Sequence, residues 1–184
     1  DFVPSRGLGD VYKRQDLSDA LAGEAGAVEA LRAQEEAGLE RVMAAYAAQS
    51  TPETEAEWRA LIDAVAGQRD AVYGGLYWHT DLDAAKARAA ETGRPILSLR
   101  LLGALTDEYS CANSRFFRTV LYTHPELAGL LKERFVLHWS TERPVPLVTI
   151  DFGDGRQMKR TLTGNSAHYI LCLLYTSDAA DDLY

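Results

Sequence analysis

The strongest constraint on this chain is a short apolar run, Ile96-Leu97-Ser98-Leu99-Arg100-Leu101-Leu102, set off by Gly93-Arg94-Pro95 before it and Gly103 after it. A mostly continuous apolar pattern of this length is that of a central strand covered on both faces. Such a strand needs a layer of structure above it and another below. A second run, Phe135-Val136-Leu137-His138-Trp139, reads as another strand, and the stretch between the two runs is helical in pattern. Helices are predicted from about residue 111 to 122 and again from Pro125, with Phe116 and Val120, and Phe117 and Leu121, stacked at i,i+4 spacing. Pro144-Val145-Pro146 then precedes the alternation Val148, Ile150, Phe152, and the turn Gly153-Asp154-Gly155 returns the chain as a hairpin. His168-Tyr169-Ile170-Leu171 opens one further strand. The order helix, strand, helix, strand, hairpin, strand predicts an α/β sandwich around a mixed sheet.

Composition narrows the class without choosing a function. The chain has 184 residues, 47% hydrophobic and 25% charged, which is the balance of a globular protein. With 19 Lys and Arg against 27 Asp and Glu, its formal net charge is −8. Phosphate backbones and anionic membrane surfaces are poor partners for such a surface, so no nucleic acid is expected. No apolar run approaches the roughly 20 residues that would cross a bilayer, so no membrane span is expected either.

The two ends of the chain carry a different signal. Asp10-Val11-Tyr12-Lys13-Arg14-Gln15 can be encoded GAT GTG TAT AAG AGA CAG, and the reverse complement, read one base out of frame, encodes Cys172-Leu173-Leu174-Tyr175-Thr176-Ser177. Two complementary copies of one DNA element at opposite ends read as translated sequencing-library adapters. Residues 1–15 and 172–184 are therefore set apart from fold reasoning. That leaves 16–75 as a helical N-terminal segment and 76–171 as an α/β domain whose C-terminal part is expected to be incomplete. Cys111 becomes the lone cysteine of the remaining sequence, so no internal disulfide is expected.

Within 16–49, Leu17, Leu21, Val28, Leu31, Leu39, Val42, Met43 and Tyr46 recur at helical spacing, with a break expected near Gly38. Ser50-Thr51-Pro52-Glu53 reads as a helix start and Gly74-Gly75 as its end, with Trp58, Leu61, Ile62 and Val65 facing the core. Thr80 with Asp83 three residues on reads as a capping-box variant that opens a helix ending at Gly93.

Cys111 is the sharpest chemical candidate, because it stands where a loop meets a helix just after the buried strand. Free amides and the positive dipole end at a helix start favour the thiolate, the only nucleophilic form of cysteine. Arg115, four residues on, is placed to add positive charge. The competing reading is a small buried hydrophobe.

From Trp78 to Leu171 the sequence resembles the thioredoxin-like superfamily. The matching features are the Trp-led capped helix of 78–92, Gly93-Arg94-Pro95 before a strand, and Cys111-Ala112-Asn113-Ser114 at the expected active-site helix. His124-Pro125-Glu126-Leu127 then leads through Leu130-Leu131 to Glu133-Arg134-Phe135-Val136. The resemblance implies a thioredoxin-like sandwich and thiol exchange with a protein thiol or a small thiol such as glutathione, with no bound cofactor. The sequence departs from the family's pattern in three places. Ser114 stands where the second cysteine of the redox motif would be, so no internal thiol is there to resolve a mixed disulfide. Ser166 stands where the family has a cis-proline beside the cysteines. The loop 103–110 is longer than the family's. The resemblance therefore implies a monothiol role for Cys111, with Ser114 beside it and Asn113, Arg115 and Ser166 as binding residues. A thioredoxin-fold binding module without catalysis is the alternative.

Other constellations are bland. His79, His124, His138 and His168 are scattered, without the close spacing of a zinc motif. A Cys111–His nucleophile pair requires a distant histidine to come within reach. Asp151 and Asp154 flank a turn, where acids are common. Trp139 and the Phe116-Phe117 pair read as core.

Overall fold

The computed structural model describes residues 17–172. Of the adapter-like stretches 1–15 and 172–184, all but Cys172 lie outside the described residues. The molecule is mixed α/β. Residues 17–21 are helical, followed by α1 (Ala25–Arg32), α2 (Glu35–Gln49) and α3 (Glu55–Ala66). After a short 3-10 turn (Ala71–Tyr73) come α4 (Leu82–Thr92), β1 (Ile96–Leu102) and α5 (Ala112–Phe116), which continues as a π-helical turn (Phe117–Leu121). Then follow α6 (Pro125–Arg134), β2 (Val136–Arg143), the hairpin β3 (Leu147–Asp151) and β4 (Gln157–Thr161), and β5 (Ser166–Leu171).

β1 is the middle of a three-stranded sheet in the order β2-β1-β5. It runs parallel to β2, with Leu99 opposite Trp139, and antiparallel to β5, with Leu99 opposite His168. The hairpin forms a separate two-stranded sheet. His79 extends the pairing beyond β2: its N–H donates to the Leu137 carbonyl at 2.9 Å, and its carbonyl accepts the Trp139 N–H at 3.1 Å. On one face of the sheet Leu97, Leu99, Leu101, Leu137 and Trp139 pack with Trp78, Leu105, Tyr122 and Leu131. On the other, Ala85 and Ala89 of α4 close over Ile96 and Val136. The first face is fully covered; the second is covered at Ile96 and leaves Arg100 exposed.

The N-terminal helices hold their own core of Leu31, Leu39, Val42, Trp58, Ile62 and Val65. They join the sheet through two buried indoles. Trp139 Nε1–H donates to the Gly67 carbonyl at 2.7 Å, and Trp78 Nε1–H donates to Gln68 Oε1 at 2.7 Å. Glu36, in the first turn of α2, adds ion pairs to Arg88 at 3.1 Å and Arg94 at 2.9 Å.

Several helix boundaries differ from those expected. Gly38 does not break a helix: it lies inside α2, and the breaks fall near Gly23 and at 33–34. A Cβ at Gly38 would sit 2.0 Å from the Leu31 carbonyl oxygen, so the glycine lets the start of α2 lie against the end of α1. α3 starts at Glu55 rather than in 50–53, because Thr51 and Thr54 bond to each other in a preceding turn. It ends at Gly67, not at Gly74-Gly75, since Gly67 takes the left-handed conformation (φ +67°) and donates its N–H to the Asp63 carbonyl. The cap of α4 is Asp81, whose carboxylate accepts the Ala84 N–H at 2.8 Å, in place of the Thr80 box. Finally, the expected helix of 111–122 changes pitch, and the Tyr122 N–H reaches back to the Phe117 carbonyl at 2.7 Å. The extra residue rotates the apolar stripe, leaving Phe116 52% and Val120 54% exposed. Phe116 is thus not core, whereas Trp139 is.

The close approach at Gly38 makes a paired prediction. Gly38→Ala overpacks the α1–α2 contact and should lower unfolding free energy by about 1–3 kcal/mol. Gly129→Ala, inside α6 with nothing within 4 Å, should raise it by about 0.5–1 kcal/mol. Urea unfolding measures both, and equal effects at the two sites would contradict the packing described.

Candidate functional site

Cys111 lies at the N-cap of α5, at the carboxyl end of β1. The long loop 103–110 does not carry it away from the strand, because the Cys111 N–H donates to the Leu102 carbonyl at 3.3 Å. The excursion closes on itself and returns the cysteine to the end of β1. The loop is pinned from below by Arg118, which is 3% exposed. Its Nη2 donates to the Glu108 carbonyl at 3.1 Å, and its Nε lies 3.5 Å from Asp70 Oδ2.

The sulfur is enclosed by short, specific contacts. The Ser114 N–H donates to Cys111 Sγ at 3.5 Å, the Ser114 hydroxyl oxygen lies 3.6 Å from it, and the thiol donates to the Asn165 carbonyl at 3.6 Å. Burial raises the thiol pKa and is the largest influence on it. Hydrogen bonding at the sulfur, led by the Ser114 amide that donates to it, outweighs burial and holds the thiol below its ordinary value. Arg115 is not the cause. Its guanidinium turns to Thr161 Oγ1 at 3.0 Å, so hydrogen bonding rather than a cationic neighbour favours the thiolate.

The other expected site residues converge here as well. Asn113 Nδ2 donates to Ser166 Oγ at 3.2 Å, across 53 positions of sequence. The Ala112 N–H donates to the Thr163 carbonyl at 3.3 Å. A Cβ on Gly164 would come within 2.4 Å of Asn113 Oδ1, so a larger residue there would have to displace the Asn113 side chain. Residues 162–165 thus form a strap, tied to α5 through residues 111, 112 and 113, and Cys111 beneath it has no exposed surface. The strap was not legible in the sequence: Leu162 to Asn165 carry no apolar pattern, and the Asn165 contact is made by its backbone.

The histidines do not join this site. His168 Nε2 bonds the Tyr122 hydroxyl at 2.7 Å, and its ring stands 4.9 Å from that of Phe117. No histidine is among the hydrogen-bond partners of Cys111, so the cysteine–histidine pair is not formed. Asp151 accepts from the Gly153 N–H and from Gln157 Nε2, and Asp154 from Arg156, which are local bonds of the hairpin turn. Among the described residues no three His, Cys, Asp or Glu side chains gather to hold a metal, and no helix is long and apolar enough to cross a membrane. No family model, curated protein or solved structure matches the chain.

His79 makes the fold sensitive to acid. It is 4% exposed, with Glu35 4.0 Å from its Nε2 and the edge of Tyr77 5.1 Å away. Desolvation pushes its pKa down to about 4, and burial lowers those of His138 and His168 too. The folded state therefore keeps these rings neutral while the unfolded chain protonates them near pH 6.5. Their contribution is complete above about pH 6.5 and is lost as pH falls toward 4, with a slope of up to about 1.4 kcal/mol per pH unit for each histidine. Urea midpoints should drop over this range, and His79→Gln should flatten the decline; stability that is unchanged or higher at pH 5 would contradict the assignment.

Proposed function

We propose that residues 76–171 form a thioredoxin-like domain in which Cys111 exchanges thiols as a single cysteine. The observation that carries the reading is the donation of the Ser114 amide to the sulfur at the first turn of α5. Three further features support it. The loop after a buried strand returns the cysteine to that strand's end, the next strand is parallel to that one, and a third strand, antiparallel on the opposite edge, begins beside the cysteine at Ser166. This is the position at which the resemblance expects the family's cis-proline.

The exchange runs in two steps. The Cys111 thiolate attacks one sulfur of a partner disulfide, the partner's S–S bond breaks, its second sulfur leaves as a thiolate, and a Cys111 mixed disulfide forms. The Ser114 hydroxyl cannot displace that partner, so a second, external thiol must attack the mixed disulfide and release Cys111 as thiolate. A small thiol such as glutathione has the required chemistry. The strap of 162–165 must move before either step, because no part of Cys111 is exposed.

That burial favours a second reading, a binding module without catalysis in which the cysteine only joins α5 to the strap. One experiment separates the two. Full-length chain carrying Cys172→Ser is incubated with oxidised glutathione, and adduct formation is followed by mass spectrometry. Asn113→Ala removes the bond to Ser166 that anchors the end of the strap, worth about 1 kcal/mol, and should raise the open population and the adduct rate about fivefold. No adduct in either protein short of global unfolding would leave only the binding module.

A further inference from the structure

The hairpin β3–β4 carries an apolar face of its own. Val148, Ile150 and Phe152 alternate onto one face of β3, and the register sets Met158 opposite Ile150 and Arg160 opposite Val148 on that same face. Leu162, two residues beyond Arg160, continues it. Ile150 is 43%, Phe152 49% and Leu162 65% exposed, and none of these apolar side chains joins a buried core cluster. A two-stranded ribbon is marginal in water on its own. A contiguous apolar face on such a ribbon marks an interaction surface.

The ladder shows which backbone groups remain open beside that face. The Phe152 N–H donates to the Arg156 carbonyl at 3.1 Å, and the Leu162 N–H donates to the Pro146 carbonyl at 3.4 Å. Hydrogen-bonded pairs alternate with non-bonded ones along an antiparallel ladder, so Gln157, Lys159 and Thr161 aim their N–H and carbonyl groups away from β3. Arg160 Nη1 accordingly reaches the Lys159 carbonyl at 2.9 Å. The hairpin is a sheet of two strands, so among the described residues no third strand lies along this outer edge of β4.

Charge selects the occupant. The acids of the hairpin are engaged locally: Asp154 pairs with Arg156 at 2.8 Å, and Asp151 accepts from the Gly153 N–H and from Gln157 Nε2. Lys159 and Arg160 have no carboxylate partner among the described residues. An extended segment that alternates acidic and apolar residues complements this edge. Laid along β4, its apolar side chains continue the face of Ile150, Met158 and Leu162, and its carboxylates fall on the other face beside Lys159. Two copies of the chain paired through β4 would instead bring the same cations together.

We propose that the outer edge of β4 docks an extended protein segment of alternating acidic and apolar residues, which adds to the hairpin as a further strand. The proposal is independent of Cys111. The test uses the reduced full-length chain and a fluorescein-labelled peptide alternating glutamate and valine, with binding read by fluorescence anisotropy. Saturable binding is expected, about tenfold weaker in Ile150→Asp, which removes the centre of the apolar face. Ile150 joins no core cluster, so the melting temperature of that variant should stay near the parent's. Any of four results would overturn the proposal. These are no saturable binding, a peptide alternating lysine and valine that binds as tightly, unchanged affinity in Ile150→Asp, or a concentration-dependent dimer that Ile150→Asp abolishes, which would give the face to a second copy of the chain.

Discussion

Everything in this molecule is arranged around β1, a strand bonded along both edges and buried along all its length but Arg100. Its parallel pairing with β2 obliges the chain to cross over through α5, the π turn and α6. Its antiparallel pairing with β5 then brings the last described strand back beside the start of that crossover. The return of Cys111 to the Leu102 carbonyl, and the meeting of Asn113 with Ser166, follow from these two pairings. Without β1 buried as it is, the cysteine and the strap would have no reason to share a place.

Two opposing effects act on the sulfur. Burial in the core disfavours the thiolate, and a set of hydrogen bonds favours it, and the balance falls on the side of the thiolate. The strap shields the thiol from solvent and accepts its hydrogen through the Asn165 carbonyl, whereas the bond that favours the thiolate comes from the Ser114 amide within α5. A cysteine in this position meets solvent only when residues 162–165 are displaced.

The strands were the most legible part of the sequence, because β1 and the apolar start of β2 announce themselves by continuous apolar runs that few other structures can bury. The hairpin was equally plain from Gly153-Asp154-Gly155. Helix ends were less so. Gly38 reads as a breaker but is a contact point, and Gly67 ends α3 although Gly74-Gly75 offers the stronger punctuation; both depend on what lies nearby in space. Nothing in the sequence marks Arg118, which lies buried in a π turn that no periodicity announces. At the candidate site Cys111, Asn113, Ser114 and Ser166 lie together while Arg115 turns to Thr161, and the bonds from the strap backbone and the complete burial of the thiol were invisible. The hydrogen bond between buried Ser98 and His138 was hidden for a similar reason: two polar residues inside apolar runs become neighbours only through the register of β1 with β2.

The most direct measurement is the ultraviolet absorbance of the thiolate as a function of pH in the folded chain, with Cys172 replaced by serine and a Cys111→Ser chain as blank. The account predicts a single titration with its midpoint below the roughly 8.5 of an unperturbed cysteine, moving upward when the folded state is lost. A midpoint at or above that value, or thiolate that forms only as the protein unfolds, would contradict it.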